Sequence, residues 1–218
     1  MKTIRAVTLD VGGTLIEPWP SVGHVYAEVA HSFGYSRIEP AQLSEAFVRA
    51  WQSRERFDYS RSAWRDVVRK TFSAATGCSI SDPCFDEIYA RFGRAGAWRV
   101  YDDVRPFLEL AASRGVCLGL VSNWDERLRG LLAELNLLAS FNAVIISHDV
   151  GFHKPAREIF HQATKQLGVA PEELMHVGDS DSEDFRGAQL AGLQSRWLRR
   201  DGAKGPGIIH TLVEILGQ

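Results

Sequence analysis

Asp10 closes a short apolar run, and two glycines and a threonine follow it in the segment TLDVGGTL. Residues 4–9 read as a buried strand, and the glycine-containing stretch after them reads as a turn that presents Asp10 at the strand's carboxyl end. Ligand sites in open parallel sheets lie at that end. A carboxylate there can attack phosphorus and divide one hard displacement into two easier ones through an aspartyl-phosphate, so Asp10 is a candidate nucleophile. The same residues would also suit a turn in which the aspartate accepts local amide hydrogen bonds, and the segment alone does not decide between the two.

Three further segments carry polar groups at or near predicted strand ends. Residues 116–121 are a second apolar run, ending in Ser122-Asn123, a hydroxyl and an amide suited to holding a phosphoryl oxygen. The pair could instead cap a helix that begins near Asp125. Lys154 comes next, within GFHKPAREIF, where it could also be a solvated loop lysine. The segment LMHVGDSDSED then delivers Asp179 and Asp184 after a glycine, although Asp179, Asp181, Glu183 and Asp184 would also complement the dipole at a helix start. Each structural reading suffices by itself, but together they need several unrelated coincidences. A single shared site is the more economical reading.

In this order the four segments resemble the four motifs of the haloacid dehalogenase-like hydrolases, and the resemblance extends over nearly the whole chain. It implies Asp10 as nucleophile, Thr14, Ser122 and Asn123 as phosphoryl-binding groups, and Lys154 offsetting the charge of both the phosphoryl group and Asp10. It also implies a magnesium ion held by Asp10, the Gly12 carbonyl, Asp179 and Asp184, directly or through water. Magnesium prefers oxygen ligands and keeps several waters, which suits such a set. Carboxylates packed at one strand end repel one another, and a divalent cation is the ordinary relief. The members that cleave carbon–halogen bonds work without magnesium and lack this aspartate pair, so phosphoryl transfer is favoured over dehalogenation.

Gly12 departs from the phosphatase pattern, which places a second aspartate there. In those enzymes that side chain protonates the leaving oxygen and then activates water, while its backbone carbonyl binds the metal. Glycine keeps the carbonyl and loses general acid–base assistance worth about 10²–10⁴-fold in rate. Weak turnover of alkyl phosphates is expected, unless the leaving group is a good one or a donor comes from beyond the first motif, where Glu17 and His24 lie nearest. A Schiff-base route like that of phosphonoacetaldehyde hydrolases would call on Lys70, the one lysine between residues 17 and 101. A non-catalytic protein that binds a phosphorylated ligand and signals through its second domain is the alternative from another class.

These groups need a scaffold. After residue 101, apolar runs alternate with helical segments: helices over 104–114, 126–135, 156–167, 185–191 and 208–216, and strands over 116–121, 143–146, 174–177 and 194–198. That pattern predicts an α/β fold, a Rossmann-like core whose parallel sheet is flanked by helices. Between residues 20 and 97 no strand is expected. Helical spacing recurs over 22–33, 41–56, 62–76 and 82–92, so an all-helical cap is predicted. The expected division is 1–16 with 102–218 as core and 17–101 as cap, and the resemblance implies that the cap closes over substrate. The arginine- and aromatic-rich stretch from Trp51 to Arg69 reads either as a stacking surface for substrate or, preferably, as helix packing with a solvated basic face.

Composition sets the outer bounds. The chain has 218 residues, 45% of them hydrophobic, enough for a full core with an insert. No apolar stretch reaches the roughly 20 residues needed to span a membrane, and no secretory leader pattern is present, so a cytoplasmic protein is expected. Three cysteines match no metal spacing and read as reduced thiols, with a Cys78–Cys84 pair as the lesser reading. A net charge of -2 gives no bulk attraction to nucleic acid or acidic membranes. The expected partner is a small phosphorylated metabolite, and oligomeric state is not readable.

Overall fold

The computed structural model describes residues 3–35, 38–55 and 57–217. The chain enters as β1 (Ala6–Leu9), turns, and leaves through β2 (Ile16–Pro18) into four helices, α1 (Val22–Ser32), α2 (Pro40–Gln52), α3 (Arg61–Thr76) and α4 (Asp82–Arg91). It returns through β3 (Trp98–Val100), which pairs with β2. Then follow α5 (Val104–Ser113), β4 (Cys117–Ser122), α6 (Leu128–Glu134), β5 (Ala143–Ile146), α7 (Ser147–Val150), α8 (Arg157–Leu167) and β6 (Leu174–Gly178). A π-helical turn over Asp181–Arg186, α9 (Gly187–Leu190), β7 (Gln194–Leu198) and β8 (Ile208–Ile209) complete the regular elements, apart from short 3-10 turns.

Six strands form one parallel sheet in the order β5-β4-β1-β6-β7-β8. Helices on both faces bury such strands on each side, which is why β1 and β6 are buried along their whole length and read as unbroken apolar runs. The order reverses at β1, so loops leaving β1 and its neighbours diverge there and open a crevice at the carboxyl ends. Ile159, Phe160 and Ala163 of α8 pack with Val121, Ile145 and Leu174 in the core behind it. The parallel register sets Leu9 opposite Leu120 and opposite Val177, so the segments after β1, β4 and β6 emerge side by side.

Contacts divide the chain into Met1–Ile16 with Val100–Gln218 and, separately, Glu17–Arg99. The second boundary thus falls two residues before the expected 102; Tyr101 stays with the core, its N–H donating to the Leu15 carbonyl at 3.0 Å. The helical unit has its own core around Tyr26, Leu43, Phe72, Phe85 and Ile88. Ser21, Ser60 and Ser81 cap α1, α3 and α4, each accepting from a backbone N–H in the first turn. The expected helix over 41–56 ends at Gln52, and Arg56 lies outside the described residues.

The aromatic and arginine stretch of this unit resolves into packing. Trp51 stacks on Trp64 at 5.3 Å, and Arg54 lies over the Trp51 ring at 3.6 Å. Arg61 and Arg69 pair with Asp86 and Asp82 of α4 at 2.7 and 2.8 Å. The cysteines Cys78, Cys84 and Cys117 are all free thiols. Among the described residues no helix is long and apolar enough to cross a membrane.

Two expected helices change form. Residues 208–216 hold β8, which pairs with β7 through Ile208 and Trp197, and then a 3-10 turn over Leu212–Ile215. Glu214 accepts from the backbone of His210 and Thr211 at 2.8 Å each, which closes that turn and ends the strand. The helix expected over 185–191 begins earlier, as the π-helical turn, and becomes α-helical only at Gly187.

Candidate active site

Asp10, Asp179 and Asp184 each offer a carboxylate oxygen, and the three oxygens lie within 4.8 Å of one another. The fold forces this meeting: Asp10 is the first residue past β1, Asp179 the first past β6, and β1 and β6 are neighbours. Asp184 reaches the same place because the turn after β6 bends its side chain inward, where Oδ2 accepts from the Ser180 N–H at 3.0 Å. The acidic run therefore has three fates. Asp181 pairs outward with Arg186 at 2.9 Å, Glu183 accepts from Asn123 at 3.1 Å, and Asp184 is buried.

Lys154 is the cation at the centre. Its Nζ lies 2.6 Å from Asp10 Oδ1 and 2.5 Å from Asp184 Oδ1, and the residue is only 4% exposed. It is no solvated loop lysine. Ser122 Oγ also donates to Asp10 Oδ1, at 2.9 Å, and α6 begins at Leu128 with Arg127 at the cap position, so Ser122-Asn123 caps no helix. Both side-chain donors thus meet on Asp10 Oδ1, and the Val11 N–H also bonds this carboxyl.

Asn123 is placed differently from the other expected phosphoryl-binding groups. Its Oδ1 accepts from the Lys154 N–H at 2.7 Å, and its Nδ2 donates to the Lys154 carbonyl at 3.0 Å. The amide thus fixes the lysine's backbone while its Nδ2 also donates to Glu183. Thr14 is buried and its hydroxyl donates to Asp179 Oδ1 at 3.3 Å. Glu17 bonds Arg99, and His24 Nδ1 lies 2.9 Å from the Ser21 hydroxyl that caps its own helix. Lys70 is exposed on α3.

The electrostatics follow from one ammonium facing three carboxylates. Burial pushes Asp10 above the usual carboxylate range; Lys154 opposes this and Asp184 adds to it. Asp179, though its outer edge meets solvent, is pushed up to about 7 by desolvation and by the charges of Asp10 and Asp184. Burial also works to raise Asp184, but Lys154 and His176 outweigh it and hold this carboxyl ionised well below the usual range. Lys154 is kept protonated because the two carboxylates override its own burial. If all four groups are charged, an excess of two negative charges remains, which one divalent cation would cancel. An all-oxygen donor set of this charge fits magnesium.

Three residues at the site carried no assigned role in the sequence reading. His176 is wholly buried in β6, with Nε2 3.0 Å from Asp184 Oδ1 and Nδ1 3.1 Å from Thr8 Oγ1. Burial lowers its pKa against the pull of Asp184, so the ring is neutral, its Nε2–H donates to the carboxylate, and Nδ1 accepts from Thr8. Arg200 donates to the Thr14 carbonyl at 2.8 Å and pairs with Asp103 at 2.9 Å, bracing the loop after β1. A histidine inside the apolar run LMHVG, next to an acidic run, was the available signal for the first; nothing local marks the second.

Trp124 is the third. A Cβ added at Gly12 would lie 3.3 Å from Trp124 Cζ3 and 4.0 Å from Cη2, so the indole edge stands where a side chain at position 12 would begin. The neighbouring glycine has another cause: Gly13 has φ 76°, and a Cβ there would overlap the Asp179 carboxylate.

Comparison with known proteins agrees with this architecture. A family model for haloacid dehalogenase-like hydrolases matches residues 4–192. Haloacid dehalogenase-like hydrolase domain-containing protein 3 of Danio rerio is 32% identical over 216 residues, covering 92% of this chain and 88% of that protein. Phosphoserine phosphatase of Thermus thermophilus is 38% identical over 185 residues, covering 84% of this chain and 68% of that protein. Among solved structures, a HAD phosphatase from Thermococcus onnurineus aligns with a TM-score of 0.68 at 28% identity, covering 98% of both chains.

Proposed function

Because this chain belongs to the haloacid dehalogenase-like hydrolase family, we propose that it is a magnesium-dependent phosphatase of small phosphorylated metabolites, with Asp10 as nucleophile. The observation that carries the reading is the convergence of Asp10, Lys154, Asp179 and Asp184 at the carboxyl end of a parallel sheet. The phosphatase names of two similar proteins support the same reaction class.

Asp10, Asp179, Asp184 and the Gly12 carbonyl would hold the ion, which when bound supplies charge neutralisation for the phosphoryl oxygens. Lys154 and Ser122 fix Asp10 Oδ1, and the carboxylate attacks phosphorus. The bond from phosphorus to the ester oxygen breaks, and its electron pair leaves with that oxygen, which takes a proton from solvent. Water then attacks the aspartyl-phosphate at phosphorus and loses its proton, freeing inorganic phosphate and restoring the carboxylate. Lys154 stays protonated throughout and stabilises charge on the transferred group. No carboxyl at position 12 carries protons in either step, which lowers the rate by about 10²–10⁴-fold.

The deciding measurement is magnesium-dependent phosphate release from a panel of aryl and alkyl phosphates by the native chain and by Asp10→Asn. Turnover that vanishes in the variant supports the reading. Turnover that survives it removes Asp10 as nucleophile. Gly12 also favours a second reading, a phosphometabolite-binding protein, for which tight binding of one compound without release of phosphate is the signature.

A further inference from the structure

Gly12 has no backbone reason to be glycine, since its φ lies outside the left-handed region that marks Gly13. What stands beside position 12 is an aromatic ring. The Cζ3 edge of Trp124 is 3.3 Å from where a Cβ would sit, so a side chain there needs the ring to give by a few tenths of an ångström. Parallel pairing explains the encounter: with Leu9 opposite Leu120, residues 12 and 124 come past adjacent strand ends nearly level.

The ring is built in place. The Trp124 N–H donates to Ser147 Oγ at 3.0 Å, and the same hydroxyl donates back to the Trp124 carbonyl at 3.0 Å. The His148 N–H donates to that carbonyl as well, at 3.2 Å. Ser147 is buried, and the residue after Trp124, Asp125, is buried and paired with Arg127 at 2.6 Å. The backbone under the indole is thus held from both sides. Gly12 and Trp124 form a matched pair, in which the missing side chain and the ring account for one another.

We propose that Trp124 is a specificity-determining residue that selects aryl phosphate monoesters. This rests on the reading of Asp10 as nucleophile and deepens it. The side of the site next to residue 12 offers a hydrocarbon ring edge, which has no proton to give. A phenolic leaving group departs as a stable anion and needs none, whereas an alkoxide does. An aromatic leaving group also gains an edge-to-face or offset contact with the indole.

Two measurements test this. Binding of phenylphosphonate and methylphosphonate, neither of which can be hydrolysed, is compared by calorimetry in the native chain, Trp124→Phe and Trp124→Ala. The phenyl compound binds about tenfold tighter in the native chain and in Trp124→Phe, and the preference disappears in Trp124→Ala. Equal binding in the native chain, or a preference that survives Trp124→Ala, overturns the proposal, and neither result depends on turnover. The second measurement is kcat/KM for phenyl phosphate and ethyl phosphate in Gly12→Asp, Trp124→Ala and the double variant. Ethyl phosphate turnover rises in the double variant well beyond the combined effect of the single ones, because the carboxyl then has space. A full gain from Gly12→Asp alone overturns the pairing. If Asp10→Asn leaves turnover intact while the phosphonate preference follows Trp124, the nucleophile assignment fails and the aromatic wall stands.

Discussion

His176 Nε2 lies 3.0 Å from Asp184 Oδ1, inside the sheet and out of reach of solvent. The imidazole donates one proton to the carboxylate and receives one from Thr8, so it locks Asp184 from below while Lys154 holds it from above. Replacement by leucine leaves the Thr8 hydroxyl without this partner and removes a donor from a buried anion. A loss of about 1–3 kcal/mol in urea unfolding is expected. Magnesium affinity should also fall by about 10–100-fold, as when other supports of metal ligands are removed. Unchanged affinity in a folded His176→Leu protein would show that Asp184 needs no such support.

Without metal, the excess of carboxylates sets the pH dependence of stability. Asp179 is held at about 7 in the fold against an ordinary 3.8, so across that interval the folded chain binds more protons than the unfolded one. Its ionisation therefore costs stability as pH rises, and the cost is complete above about pH 7. Asp10 acts in the same direction. Asp184 acts oppositely, but its stabilisation is lost only in strong acid, outside the interval. In chelator, Asp179→Asn should gain stability relative to the native chain as pH rises from about 5 to about 8, and magnesium should reduce that difference. A difference that does not vary with pH would remove Asp179 from the strained cluster.

The core was legible because parallel strands buried on both faces are short apolar runs, and those ending at Leu9, Ser122 and Gly178 are such runs. Asp10 and Asp179 were legible because neighbouring parallel strands bring their carboxyl ends together, whereas Asp184 and Lys154 reach the same place through the loops that follow β6 and α7. The region over 208–216 was misread because Ile208, Ile209, Leu212, Val213 and Leu216 suit helical spacing, while a two-residue edge strand has too few residues to show alternation. The partner of the Asn123 side chain, the Lys154 backbone, was not legible because it lies 31 residues away in sequence. The tie between residues 12 and 124 exists only through strand register, which the sequence displays at neither position.

Lys154→Met isolates the role of the central cation. The methionine keeps the packing and leaves Asp10 and Asp184 buried without their shared counter-ion, a loss of about 3–5 kcal/mol near neutral pH. Protonating the carboxylates relieves that loss, so the deficit should shrink as pH falls toward about 5. Magnesium should recover part of the stability and none of the turnover. Recovery of both would mean that Lys154 serves only to balance charge in the resting protein.

Asn123 offers a finer test, because two substitutions should rank in an order that burial alone would not give. Asn123→Ala removes the bonds at 2.7 and 3.0 Å that hold the Lys154 backbone, together with the bond to Glu183 at 3.1 Å. Stability should fall by about 1–3 kcal/mol. Turnover should fall at least tenfold, since a lysine displaced by about 1 Å no longer meets the transferred group. Asn123→Asp keeps the acceptor for the Lys154 N–H, yet it loses the donor to the carbonyl and sets a second carboxylate against Glu183. It should therefore melt below the alanine variant near neutral pH and overtake it in mild acid, where one of the two carboxyls takes a proton and can again donate. Thermal melts of both proteins across that range settle the order, and an aspartate variant as stable as native at neutral pH would mean that Glu183 does not hold this amide in place.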